Sequence, residues 1–210
     1  MGVLVCFALK EETAPFNKNA ANNPGVSMLV TGIGRRNAEK SAREFLAENS
    51  CELVLTCGFA GGLNSELKPG DVVFEVQNPK SEIQSQLLAA GAKPAKFFCA
   101  DRIAITAAEK KMLREKSGAD AVEMESAAIH AVCAEQGIPC ATIRAISDAA
   151  NEDLPLDFNA LAKSDHNLDY GKLFLAIARS PGKIGALMEL QRKTRFAAGR
   201  LAAVLGKIIR

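Results

Sequence analysis

Short runs of nearly unbroken apolar residues, spaced by helix-period segments, constrain this chain more than any other feature. Residues 3–9, 26–31, 53–57, 71–76, 96–99 and 140–147 form those runs. Strands that read as continuously apolar are buried on both faces, as in a largely parallel sheet covered by helices. Segments 35–48, 106–116 and 123–136 carry helical patterns between them. In the last, Met124, Ala127, Ala128, Ala131 and Val132 recur at helical spacing, and Gly137 followed by Pro139 ends it. Strands and helices in this order predict an α/β domain. The glycines at 61 and 62 and the turn at 68–71 fall inside it, with no repeat or linker to mark a boundary.

Ligands of open α/β sheets bind beyond the carboxyl ends of the strands. The polar or glycine-rich strand ends are therefore the candidate site: Glu11 and Glu12, then Gly32 to Gly34, then Gly58 to Gly62, then Ser147 and Asp148. Gly32-Ile33-Gly34-Arg35-Arg36-Asn37 follows a strand and opens a helix, as a dinucleotide fingerprint does. Asn37 replaces the third glycine, however, and no strand-end acid stands at ~20 residues beyond. The segment reads instead as a tight turn offering amides to a hydroxyl or an anion. The run from Leu53 to Leu63 carries a strand into glycines that let a ligand approach the backbone.

Glu123 and Glu125 sit at the expected start of the helix over 123–136. Acids favour a helix N-terminus electrostatically, so one of them needs no function. Their spacing sends the two side chains to different faces, and at most one reaches a given ligand. His130, one turn later, reads as a satisfied helix residue rather than a base. The run from Ile138 to Asp148 is a strand ending in a carboxylate, whose ionised form requires partners at a buried sheet edge. Capping of a short helix near 149–153 is the alternative role for Asp148.

Composition narrows the function classes. The chain has no Trp and a single tyrosine, Tyr170, which removes any aromatic platform for single-stranded nucleic acid. Six cysteines never form a C-x-x-C pair, and with two histidines they offer no metal-ligand spacing. Neither a metal nor a cofactor is expected. The apolar start is too short for a signal-peptide core and has no basic region before it. No run approaches the ~20 apolar residues of a membrane helix. A cytoplasmic protein with reduced thiols is the expectation. Charge is uneven: residues 170–210 hold nine basic groups against one acid, Glu189.

Three blocks carry a family likeness: Ala8-Leu9-Lys10-Glu11-Glu12; Cys57 to Leu63 with Lys68-Pro69-Gly70-Asp71; and Val122-Glu123-Met124-Glu125-Ser126 with Arg144-Ala145-Ile146-Ser147-Asp148. They span residues 1 to about 150 in order, and the pairing of the last two is specific. With them the chain resembles the nucleoside phosphorylase / methylthioadenosine–adenosylhomocysteine nucleosidase superfamily. The segments 101–110 and 118–122, with the basic tail from Tyr170, are most similar to its hopanoid-associated subgroup, phosphorylases or nucleosidases of adenosylhopane.

The resemblance implies a three-layer αβα fold of the nucleoside-phosphorylase type, with a central mixed, mostly parallel sheet. It implies a catalytic domain over 1–169, a basic amphipathic helical extension over 170–210, and a homodimer. The implied reaction is cleavage of an N-glycosidic bond, releasing adenine from a 5′-modified adenosine such as adenosylhopane. By the same resemblance Glu12 orients and deprotonates the attacking water. Glu125 accepts hydrogen bonds from the ribose hydroxyls, with Met124 beside the sugar. Asp148 hands a proton to purine N7. Ser147, Ile103 and Ala104 line the base pocket, while Gly32, Gly34, Phe59 and Gly61 form the attack-side loops. Proton donation by Asp148 calls for burial or neighbouring glutamates. Arg144 is expected to balance the acidic cluster through an ion pair.

Two departures stand out. Phe59 occupies a position where nucleosidases of this kind carry a serine. The segment between Val76 and Lys96 is only about 20 residues, shorter than in methylthioadenosine nucleosidases, and this predicts an open 5′ side suited to a bulky substituent. In the tail, Ile184, Leu187, Met188, Leu201, Leu205 and Ile208 fall mainly on one helical face, with Arg192, Lys193, Arg200, Lys207 and Arg210 mostly on the other. Such a helix either packs on the domain with its basic side solvated or lies on an anionic lipid surface. It carries no nucleic-acid reader motif. Phosphorolysis, with Arg35 or Arg36 at a phosphate site, and an inactive nucleoside-binding protein, with Phe59 blocking the water, are the rival readings. A carboxylate at Glu12 opposes the first, because it repels phosphate.

Overall fold

The computed structural model describes residues 2–20, 23–77, 81–161 and 181–209. Tyr170, Arg210 and the boundary at 169/170 lie outside them. The elements run β1 (Val3–Phe7), α1 (Lys10–Ala20), β2 (Val26–Val30), α2 (Arg35–Glu48), β3 (Leu53–Gly62), β4 (Val72–Val76), α3 (Glu82–Ala89), β5 (Lys93–Pro94), β6 (Phe97–Cys99), α4 (Ala107–Ser117), β7 (Ala121–Glu123), α5 (Ser126–Glu135), β8 (Cys140–Asp148), α6 (Phe158–Leu161) and α7 (Ile184–Ile208).

One sheet carries the strands in the order β2-β1-β3-β8-β4-β5, with β7 joining β3 and β6 joining β7. Pairing is parallel except between β3 and β7 and between β4 and β8. The sheet is thus mixed and mostly parallel, between two helical layers. Because side chains alternate along a strand, β1 feeds both sides: Val5 and Phe7 enter the cluster that holds Phe16 of α1, Leu87 of α3 and Leu201 of α7. Leu4 and Cys6 enter the opposite cluster, with Ala38 and Ala42 of α2 and Ile129 and Val132 of α5.

Two expectations are corrected. The glycines at 58–62 are not a loop after β3 but its continuation, running beside β8 as far as Gly61 opposite Asp148. The helix expected over 123–136 does not begin at Glu123: residues 121–123 form β7, whose Ala121 and Val122 pair antiparallel with Gly62 and Gly61. α5 starts only at Ser126, with Glu125 as its N-cap. The apolar, β-branched start of that segment finds sheet partners, and tertiary pairing overrides the helical period.

Within the described part of the tail, Ile184–Ile208 is an α-helix whose second half packs on the domain. Ala197, Ala198, Leu201, Ala202, Val204 and Leu205 are buried, while Ile184 and Met188 in the first half are exposed. No helix among the described residues is long and apolar enough to cross a membrane.

Candidate active site

Beyond the carboxyl ends of β1, β3 and β8 lies a cavity of about 230 Å³. Glu12, Glu125 and Asp148, from α1, the α5 cap and the end of β8, all line it and are all buried. Phe59, Gly61, Ile103, Ala104, Met124 and Ser147 share that wall. The sequence-derived residues therefore converge, with three exceptions. Gly32, Gly34 and Arg144 do not line the cavity; Ile33 does, between the two glycines.

Glu12 occupies the first turn of α1. Its Oε2 accepts the Leu9 amide at 2.9 Å and its Oε1 the Phe59 amide at 3.0 Å. Burial, opposed by those amides and by Arg144, pushes its carboxyl above the ordinary range. Gly58, with φ near 150°, passes so close that an added Cβ would stand 2.7 Å from Glu12 Oε1.

Glu125 is held from another direction. Its Oε1 accepts the amide of Gly34 at 2.8 Å, the donor role anticipated for that turn but directed at a side chain. Gly32 and Gly34 both have positive φ, 82° and 84°, conformations that glycine adopts without strain. Burial raises the Glu125 carboxyl to about 7, with Glu123 and Glu12 adding to the effect and Arg144 and the Gly34 amide opposing it.

Beneath the cavity floor, fully buried Arg144 donates to Glu123 Oε2 at 2.8 Å and to Thr56 Oγ1 at 3.1 Å, and stands 3.8 Å from Glu125. Its Nε and Nη1 have no hydrogen-bond partner among the described residues. Glu123 also accepts the amides of Glu125 and Ser126 and the Ser126 hydroxyl. Burial works to raise its carboxyl, but Arg144 and these donors outweigh it and hold it below its ordinary value. Both glutamates line the cavity, against the expectation that at most one would reach it, but the Glu123 carboxylate is engaged by Arg144 and the α5 N-terminus. His130 is engaged by Thr142 at 2.8 Å and Gln77 at 3.2 Å, as a satisfied helix residue.

Asp148 is buried, one of the two surroundings expected for it. Its charged neighbour is not a glutamate but Lys110, whose Nζ lies 2.5 Å from Oδ2. Its Oδ1 accepts the Ser147 hydroxyl at 2.6 Å. Lys110 escaped the sequence reading because its helix is otherwise strongly charged. The signal was its face: Lys110, Leu113 and Ser117 share one side of α4, and Lys110 is that helix's buried residue. Asn159 of α6, also missed, clamps the Ile103 backbone through both amide atoms, at 2.9 Å each.

The cavity is also lined from the C-terminal part of the chain, by Leu154, Phe158, and Leu190 and Thr194 of α7. Glu152 ties the two parts together, accepting Lys193 of α7 at 2.7 Å and the Ala149 amide at 3.1 Å.

Comparison with known proteins agrees with this architecture. The chain is 30% identical over 170 residues to a 5′-methylthioadenosine/S-adenosylhomocysteine nucleosidase of Glaesserella parasuis serovar 5 (strain SH0165), covering 66% of this chain and 74% of that one. It is 29% identical over 179 residues to the protein of that name from Shewanella halifaxensis (strain HAW-EB4), covering 68% and 78%. Its fold matches a futalosine hydrolase of Helicobacter pylori strain 26695 with a TM-score of 0.74 at 18% identity, over 100% and 97% of the two chains. It matches a Neisseria meningitidis 5′-methylthioadenosine/S-adenosylhomocysteine nucleosidase in complex with methylthio-immucillin-A equally, with a TM-score of 0.74 at 20% identity over 99% and 98%. The family model of the Phosphorylase superfamily matches residues 13–77 and 95–169. These segments include β3, β8 and the carboxylates at 125 and 148, and the chain belongs to the Phosphorylase superfamily.

Proposed function

We propose that this protein hydrolyses the N-glycosidic bond of a 5′-substituted adenosine and releases adenine. The observation that carries this reading is the convergence of Glu12, Glu125 and Asp148 on one cavity from three separate elements. A purine anion leaves poorly, so N7 must gain a proton as the bond to C1′ lengthens and the sugar becomes oxocarbenium-like. Asp148 is the donor to N7. Glu125 receives the ribose hydroxyls and offsets the positive charge developing on the ring, with Met124 beside the sugar. Glu12, held by two amides, orients a water and takes its proton. Ser147, Ile103 and Ala104 receive the base. Arg144, beneath them, keeps the acidic cluster from repelling itself apart.

Hydrolysis is favoured over phosphorolysis on three grounds. Glu12 places negative charge where phosphate would have to bind, and Arg35 is already engaged by Asp101 and the Cys99 carbonyl. The relatives named above are nucleosidases. Adenine release measured with and without phosphate tests this; absolute dependence on phosphate would overturn it.

For the 5′ substituent, the apolar wall of Leu9, Phe158 and Leu190 favours a hydrophobic group, and adenosylhopane is the substrate we put forward. Exposed Ile184 and Met188 beside Lys183 and Arg192 support contact of this helix with an anionic membrane surface, by a cytoplasmic protein acting as a homodimer. Adenine release from methylthioadenosine, adenosylhomocysteine, 5′-deoxyadenosine and adenosylhopane ranks the substituents. Preference for any of the first three over adenosylhopane would remove the hopanoid assignment and leave the reaction class intact.

A further inference from the structure

Lys110 is fully buried, and its ammonium has three acceptors: Asp148 Oδ2 at 2.5 Å and the carbonyls of Ala149 and Glu152 at 2.8 Å each. An ammonium has three N–H donors, so every one is used and none points to solvent. A structural lysine needs only to satisfy itself. This one instead ends on the carboxyl that faces the departing purine, from a helix that contributes no other fully buried side chain.

We propose that Lys110 is the positioning residue and proton source for Asp148, which deepens the reading of Asp148 as donor to N7 and rests on it. In the resting site the ammonium and the carboxylate form an ion pair. During turnover an Nζ–H bond breaks and an Oδ2–H bond forms, leaving a neutral amine and a carboxylic acid. The O–H bond turns from the lysine to the purine. It then breaks as N7–H forms, while the electron pair of the C1′–N9 bond passes into the purine ring. The amine keeps two N–H groups for the Ala149 and Glu152 carbonyls, and its lone pair faces Asp148, so no polar atom is stranded by the transfer. After product release Glu12 gives up the proton it took from the attacking water, and the water that refills the pocket carries that proton to Asp148 and on to the amine, which resets both groups. Glu152 side-chain oxygens face Ala149 and Lys193 rather than the ammonium, and Ser147 holds the other Asp148 oxygen.

The test compares four variants with the wild-type full chain, using methylthioadenosine as the probe and adenine release as the readout. Lys110→Met and Lys110→Gln should each lose ~100-fold or more in kcat, the scale of a general acid, with KM changed less than threefold. The glutamine keeps hydrogen-bond donors but has no proton to give, so a wild-type kcat in Lys110→Gln overturns the proposal. Asp148→Asn should lose at least as much, and the double variant Lys110→Met/Asp148→Asn should be no slower than Asp148→Asn alone, because Lys110 acts through Asp148. A further tenfold loss in the double variant overturns the proposal. That comparison also decides the matter if Lys110→Met alone fails to fold, since removing both partners strands no buried charge. Should Asp148→Asn itself turn over at the wild-type rate, the underlying reading of Asp148 fails instead, and the two failures are distinguishable.

Discussion

The Gly34 amide donates to Glu125 Oε1 across 91 residues of sequence, at 2.8 Å. A turn after β2 thereby aims the carboxylate of the residue at the α5 N-cap position. Gly34 has φ of 84°, so a Cβ there strains the turn. Gly34→Ala is expected to raise KM for methylthioadenosine about tenfold and to leave the fold intact, with steady-state kinetics and far-UV circular dichroism as the checks. Unchanged KM would show that Glu125 does not depend on this amide.

Glu125 also ties stability to pH. Its carboxyl is raised to about 7 in the folded protein, chiefly by burial, from an ordinary value of 4.5. Between those values the folded chain holds a proton that the unfolded chain has released. The associated stability is fully present below pH 4.5 and is lost as pH rises through about 7. Urea unfolding of wild type against Glu125→Gln should show a difference that grows over this window, on the order of 1–3 kcal/mol. A difference independent of pH would contradict the assignment.

Arg144 and Glu123 form a pair with almost no contact with solvent. Breaking such a pair strands a buried charge and costs about 3–5 kcal/mol, whereas removing both charges can be close to neutral. Arg144→Met should therefore lower the melting temperature by roughly 10 °C, and Arg144→Met/Glu123→Gln should recover most of it. Calorimetry of the two variants measures this, and a silent Arg144→Met would remove its balancing role.

Close approach of Gly58 to Glu12 gives a sharper probe of the attack side. A methyl at that position meets Glu12 Oε1 at 2.7 Å on a backbone with φ near 150°, so the carboxylate must move. Gly58→Ala is expected to reduce kcat by ~100-fold or more, the scale of a misplaced general base. Adenine-release kinetics decide it, and wild-type turnover would take Glu12 out of the mechanism.

Much of this arrangement was legible because strand ends announce themselves. Continuous apolar runs located β1, β3 and β8, and the polar residues closing them supplied Glu12, Gly61, Ser147 and Asp148. Helix α2 was read at its observed limits, 35–48, since its period has no competitor. Other parts were hidden for identifiable reasons. α1 contains Pro15, which removes an amide and reads as a helix breaker. β7 is only three residues long and gains its identity from β3 and β6, which no local pattern records. Lys110 finds its partners at positions 148, 149 and 152, through folding alone. The first half of α7 was read for its outward face, and nothing local signalled that Leu190 and Thr194 would meet the cavity.

β3 has a further consequence. Near its end it pairs with β7, which leads directly to Glu125, and with β8, which ends in Asp148. The span between those two carboxylates is therefore ruled by main-chain ladders, which are indifferent to side-chain identity. The wall made by Phe158, Leu190 and Thr194 belongs to helices outside that ladder. Descendants of this chain are free to reshape what they accept, one helix residue at a time, while the bond-breaking apparatus keeps its ruler.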